Sequence, residues 1–558
     1  MCPALLRSTV VLVGLLIALA FGQSGCSVQS AGVKQDPESQ LKGDEPQNWV
    51  IFKNVRVFDG ETVKDGLTVS VADGRIKTVG GEPPVPAKID RVSEIDCTGK
   101  DWVLMPGLID AHVHCTVGLS TSDLLNSDNT YVALRGAAEL EMMLDRGFTS
   151  VRDMGGNTFG LKRAIDEGRV RGPRIFPSGA IISQTSGHGD YRLPSDRPRR
   201  FGGPFGRAEQ LGVAIVADGK DEVLVATREQ LRLGATQIKL AVGGGVVSSF
   251  DPVDVNEYST EEIGAAVSAA DNWGTYVAVH VYTAAGCKKA VEAGVLSLEH
   301  ATLIDAETME CIAKKNADYA KAHQADPKKN PKKTIFLSPQ VLSFKLPFTT
   351  EKKMQQRNDD VARGITKMFE LAQKHNVRVC LGTDLLLAPQ AMAAQSAELT
   401  ARANPEILKG HKFTAIEVLK QATLVNGELL GLSWKREPAL SEVIRPKDED
   451  QPAETRSIKI GVIAPGAVAD LLLVNGDPTQ NLSLLVDWDP WDKNQKSKTF
   501  LEYAGPNVWD PTKSIVPPSI KNDPASDGKF GKNLFVIMKG GLFHKTHPEV
   551  KKVTKSTN

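Results

Sequence analysis

Eight short apolar runs between residues 104 and 383, with helix-patterned stretches separating them, leave this chain few folds to choose from. They lie at 104–113, 148–153, 174–183, 236–242, 276–281, 295–300, 334–341 and 377–383. Strands that alternate with helices pair in parallel, because each helix returns the chain across the sheet. Eight such units predict an α/β fold with a (β/α)8 TIM barrel over residues 105–432. In 128–147, Ala133, Ala137, Leu140 and Leu144 recur on one helical face, and Gly147 closes the helix. An apolar helical stretch at 414–432 follows the last strand and is expected on the outside of the barrel.

Both flanks read as β structure. Asp59-Gly60 and Asp73-Gly74 separate apolar runs between residues 48 and 104, which is a hairpin signal. Comparable runs return at 458–482 and 533–546, and the pieces are expected to build one small β-sandwich from the two ends of the chain. Residues 433–457 and 483–532 read as insertions, the second irregular and carrying Trp488, Trp491 and Trp509. Lysines 328, 329, 332 and 333 stand around two prolines and are expected in a solvated loop.

Residues 1–26, with Arg7, an apolar run of about a dozen residues and small residues before Cys26, have a signal-peptide layout. The run is short of the roughly 20 residues a membrane helix needs. Ser24-Gly25-Cys26 resembles a bacterial lipobox, with Gln23 where leucine is preferred, so lipid anchoring at Cys26 and plain secretion both stay open. Residues 27–47 read as a flexible tether. The expected location is the periplasm or the membrane surface, outside the cytoplasm. Equal numbers of basic and acidic residues, 67 each, lack the positive footprint of a nucleic-acid binder. Seven dispersed cysteines form neither a zinc ribbon nor a disulfide scaffold.

The chemistry collects at strand ends. His112 and His114 are two residues apart at the end of the first run, so strand alternation sends both imidazoles into one space, where they invite a divalent metal. Lys239, His280, His300 and Asp384 follow at later strand ends, and in a barrel all six face the C-terminal rim. A buried lysine tends to lose its proton. A neutral Lys239 amine can add carbon dioxide and become a carbamate, turning a repelling cation into a bridging carboxylate. Two metals then fit, one on His112, His114 and Asp384, the other on His280 and His300, with a hydroxide between them.

These residues, with Met105-Pro106-Gly107-Leu108-Ile109-Asp110-Ala111-His112-Val113-His114, Ser186-Gly187-His188-Gly189-Asp190, Glu299-His300-Ala301, Gly382-Thr383-Asp384 and Ala464-Pro465-Gly466, resemble the amidohydrolase superfamily. Within it the text is similar to the imidazolonepropionase-like and Xaa-Pro-dipeptidase-like branch. The resemblance implies amide hydrolysis by a metal-bound hydroxide, zinc being the expected ion, with Asp384 as ligand and general acid/base. It implies substrate-side roles for His188 and Tyr282. It implies a small-molecule substrate, a dipeptide or N-acyl amino acid. Leu385-Leu386-Leu387 and Ser186 depart from the family's usual small residues or glycine. A cyclic amide, lactone or phosphotriester hydrolase, and a non-catalytic surface binding protein on the same barrel, are the alternatives. A homo-oligomer is left open.

Overall fold

The computed structural model describes residues 48–86, 91–248, 250–346, 351–387, 389–444, 454–487 and 531–555. The expected leader and tether, and all but the ends of the 483–532 insertion, lie outside the described residues. Alternating apolar residues form β1 (Asn48–Phe58), β2 (Val63–Ala72), β3 (Arg75–Val79), β4 (Arg91–Asp96) and β5 (Trp102–Pro106). Asp73 and Gly74 both take positive φ, 51° and 68°, the two-residue turn whose twist suits the antiparallel β2–β3 pair. β1 is a branch point. One edge pairs with β2; the other pairs in parallel with β4 along its first half and with β5 along its second.

Gly107 divides β5 from β6 (Leu108–Val113), and a methyl there would fall 2.1 Å from Thr149 Oγ1. β6 pairs with β7 (Phe148–Asp153), which pairs with β8 (Arg174–Pro177), all parallel. The third apolar run is not one strand. It breaks at Gly179, where φ is +72° and the Gln230 side chain enters to bind the Ala180 amide, giving β9 (Ile181–Ser183) after β8. β10 (Ala214–Val216) flanks β9. On the other side of β9 come β11 (Ile238–Ala241), β12 (Val277–Thr283), β13 (Ser297–Leu303), β14 (Phe336–Ser338) and β15 (Arg378–Val379), again parallel.

The two arcs meet twice. Thr236 N donates to Pro177 O at 2.8 Å, and Ala111 N donates to Leu381 O at 2.9 Å, which closes a ring of eight strands when β8 and β9 are counted as one. At the second seam the ladder is replaced by a side chain. Asn426 Oδ1 accepts from Leu381 N, while its Nδ2 donates to the carbonyls of Ile109 and Leu381, so β15 shrinks to two residues. Asn426 follows a π turn at Gln421–Val425 in the helical stretch expected at 414–432.

Asn129–Asp145 is helical, capped by the Asp128 carboxylate, but its buried face runs through Val132, Gly136, Leu140 and Met143. Of the expected face, Leu140 and Leu144 are fully buried and Ala137 packs against the core, while Ala133 is half-buried and Gly136 lets the helix approach the Cys115 carbonyl, 3.0 Å from where a Cβ would stand. The chain ends as β16 (Ser441–Ile444), β17 (Glu454–Ser457), β18 (Leu471–Asn475), β19 (Leu534–Lys539), β20 (Leu542–Thr546) and β21 (Lys552–Lys555). β18 lies between β5 and β19, and β21 pairs with β4, past the expected boundary at 546. The composite β domain is thus a nine-stranded branched sheet drawn from both chain ends, with its own core of Phe52, Val57, Ile95, Leu104, Leu471 and Met538. Asp487 and Gly531 clasp, the carboxylate accepting from the amide at 2.8 and 2.7 Å. Among the described residues no helix is long and apolar enough to cross a membrane, and no disulfide forms.

Candidate metal centre and active site

At the C-terminal ends of the barrel strands, a cavity of about 260 Å³ brings together all eight residues singled out from the sequence: His112, His114, His188, Lys239, His280, Tyr282, His300 and Asp384. β6 supplies His112 and His114; Lys239 stands in β11, His280 and Tyr282 in β12, His300 in β13, and Asp384 follows β15. His300 (φ +68°) and Asp384 (φ +49°) both occupy the left-handed region, a backbone cost of about 1–3 kcal/mol each. Ser186 does too, at +60°, where a glycine would be unstrained.

Asp384 is the hub. Its Oδ1 lies 3.2 Å from His114 Nε2 and 3.4 Å from His112 Nε2, and its Oδ2 lies 3.9 Å from His300 Nδ1. His112, His300 and Asp384 place one ligand atom each within 4.8 Å of one another, so His300 joins a group that the sequence reading had paired differently. His280 sits alongside, its ring centroid 4.6 Å from that of His300.

Each imidazole has one nitrogen hydrogen-bonded to an acceptor of the protein, and on His112 and His114 it is the nitrogen opposite the one that faces Asp384. His112 Nδ1 donates to Glu299 Oε2 at 2.8 Å, His114 Nδ1 to the Gly155 carbonyl at 3.1 Å, His280 Nε2 to the Gly244 carbonyl at 3.1 Å, and His300 Nδ1 to Gln340 Oε1 at 2.5 Å. With the N–H spent on an acceptor, the other nitrogen keeps a lone pair, as a metal ligand requires. Burial, against the pull of Asp384, lowers His112 to about 4 and His300 to about 3. Burial and the neighbouring imidazoles push His280 far down as well. Burial presses His114 down, yet it moves up, because its hydrogen bond to Asp384 and the charges of Asp384 and Asp153 together outweigh burial. Burial opposes charge on Asp384, yet the His112 and His114 rings hold its carboxyl well below the usual range.

Lys239 is 2% exposed and makes no hydrogen bond or ion pair among the described residues. Burial lowers its ammonium to about 8, although Glu299 and Asp384 resist. The donor set of four neutral-capable imidazoles, one carboxylate and one displaced lysine therefore fits divalent metal. His188 stacks on His280 at 3.8 Å and 11°, and the Tyr282 ring lies 5.0 Å from His300. Apolar side chains, among them Ile181, Val246, Phe344, Leu385 and Leu386, line much of the rest.

Several residues of the site carry no metal-binding signature, and the sequence gives them no role of their own. Glu299 accepts from His112 and is locked by Arg152, whose Nη2 reaches both carboxylate oxygens at 2.8 Å; both side chains are fully buried. Opposite charges inside two apolar runs were the available signal. Alternation would have sent Glu299 and His300 to opposite faces, but the positive φ at His300 lets both reach the barrel interior. Gln340 carries no such mark.

A sequence profile of the amidohydrolase family matches residues 103–435. Ochratoxinase from Aspergillus niger is 30% identical over 418 residues, 71% of this chain and 79% of that protein. Among solved structures, an amidohydrolase shares 30% identity with a TM-score of 0.66, covering 90% of this chain and all of the other. A prolidase complexed with N-methylphosphonate-L-proline shares 27% identity at a TM-score of 0.65, covering 89% of this chain and all of the other. With the profile spanning the barrel and its rim, the chain belongs to the amidohydrolase family and is a hydrolase of amide or peptide bonds.

Proposed function

We propose that this protein is an exported, binuclear zinc amidohydrolase that cleaves a dipeptide or an N-acyl amino acid. The observation that carries the reading is the set of four imidazoles, each with one nitrogen hydrogen-bonded to the protein, gathered with Asp384 and a buried, unpaired Lys239. His112, His114, His280, His300 and Asp384 would hold the metals. Lys239 would bridge them as a carbamate: its neutral amine forms a bond to the carbon of carbon dioxide, one proton leaves, and the product is an anionic carboxylate. When bound, the metals supply Lewis acidity toward the scissile carbonyl and an activated water.

The chain's own groups do the rest. Asp384 accepts the proton of the attacking water and delivers it to the leaving amine, a shuttle suited to a carboxylate at the hub. Tyr282 lines the cavity beside the ligands and donates a hydrogen bond to the oxyanion that develops at the scissile carbon, and His188 faces the substrate from the same cavity. The apolar lining keeps water away from the substrate's side chains. The relatives support this reading, because one is named an ochratoxinase and another a prolidase.

Turnover of dipeptides and N-acyl amino acids by zinc-loaded protein, read against metal content, is the test. Two metals per chain and hydrolysis of at least one panel member are expected, with Lys239→Ala losing metal. Asp384→Asn should lower turnover at least about 100-fold, the scale of a lost general base. One metal or none in active enzyme defeats the binuclear reading. Turnover confined to lactones, cyclic amides or phosphotriesters defeats the substrate assignment.

A further inference from the structure

The loop between β11 and the helix Thr260–Asn272 holds a carboxylate that the reaction above does not use. Asp251 is 2% exposed, and among the described residues no lysine or arginine forms an ion pair with it. A buried carboxylate is costly unless something nearby compensates it. The basic group beside it is His188, whose Nδ1 lies 3.4 Å from Asp251 Oδ2 and 2.9 Å from Ser248 Oγ. Burial opposes charge on Asp251, but His188 and Ser248 draw its carboxyl below the ordinary range. Neither Asp251 oxygen has a donor in good hydrogen-bond geometry, a looseness common before substrate fills a site.

The same loop holds His188 from every side. The His188 amide donates to Glu257 Oε1 at 2.9 Å. Gly245 leaves room for the ring, since a Cβ there would fall 1.9 Å from Nδ1. Arg357 ties the loop down through the carbonyls of Ser248 (2.7 Å) and Gly245 (3.3 Å). On its far face the ring is pressed flat against His280.

We infer that Asp251, with Ser248, is a positioning residue: it keeps the proton of the His188 ring on Nδ1 and aims Nε2 into the cavity. It acts through His188 and touches no reacting atom. The inference rests on the substrate-side role proposed for His188. Its logic is that of a carboxylate behind an imidazole, which fixes tautomer and orientation without itself taking the proton.

A double-mutant cycle on the zinc-loaded enzyme decides it, using the most rapidly hydrolysed member of the dipeptide and N-acyl panel. Asp251→Asn should lower kcat/KM by about 10- to 100-fold, the usual effect of removing a partner that orients a site histidine. Metal content and Tm should stay at wild-type values. The double variant with His188→Asn should be no worse than His188→Asn alone, because both remove one unit. Additive losses, or kcat/KM of Asp251→Asn within twofold of wild type while His188→Asn is impaired, overturn the inference and leave the proposed reaction standing. Wild-type kinetics in His188→Asn overturn the role of His188 first. Should Asp251→Asn melt early, Ser248→Ala takes its place in the cycle, and additivity with His188→Asn is then the overturning result.

Discussion

Glu257 is a carboxyl with almost no water, 1% exposed, and its Oε2 meets no donor. Burial, reinforced by the charge of Asp251, raises it to about 8. A carboxyl whose folded pKa lies above its unfolded value holds its proton more tightly in the native state, so its contribution to stability is complete in acid and is lost as pH rises toward 8. Wild-type Tm should therefore fall between about pH 5 and pH 8.5, and Glu257→Gln, which keeps the acceptor for the His188 amide, should match it in acid and fall less steeply. Parallel slopes in the two proteins would show that Glu257 does not carry this dependence. At this scale the sequence was readable where residue type announces chemistry, as at His112, His114 and Asp384, and mute where a residue acts only through a neighbour. Asp251 and Glu257 look like ordinary loop acids until folding buries them beside His188.

β15 and its seam with β6 show how an element can be shorter than its sequence pattern. The apolar run at 377–383 reads as a full strand, yet only Arg378–Val379 pairs in the sheet, because Asn426 supplies the remaining bonds. No periodicity in the run could reveal a partner about 45 residues away. Gly179 likewise cut the third run in two, while the order and number of barrel units were legible from alternation alone. Arg402 braces the same region, fully buried, with bonds to the carbonyls of Cys380 and Pro339. Asn426→Ala removes the acceptor of the Leu381 amide and the side-chain donor to the carbonyls of Ile109 and Leu381, of which Leu381 keeps the Ala111 amide, and a buried group left unpaired costs about 1–3 kcal/mol. A loss of at least about 2 kcal/mol in the urea unfolding midpoint analysis is expected, with turnover falling because Asp384 hangs from this seam. An unchanged midpoint would mean that the barrel closes without Asn426.

For the molecule as a whole, the clasp of Asp487 and Gly531 brings the two ends of the second insertion side by side. Closing a loop costs only slowly more as it lengthens. Replacing 488–530 with a short Gly-Ser linker should therefore leave the barrel folded, with Tm within about 2 °C and kcat/KM within about twofold of wild type. A variant that expresses insoluble, or folds without activity, would give the segment a structural or catalytic share. The sheet built from both chain ends has a different consequence, one for synthesis. β5 must pair with β18 some 370 residues later, and β4 with β21, the last described strand. Local βα units emerge from the ribosome ready to collapse, whereas the first five strands emerge with an unpaired edge and wait for β18 and β21 to be made. The nascent chain thus carries unpaired strands while the whole barrel is made, and their edges are where a chaperone is expected to bind it.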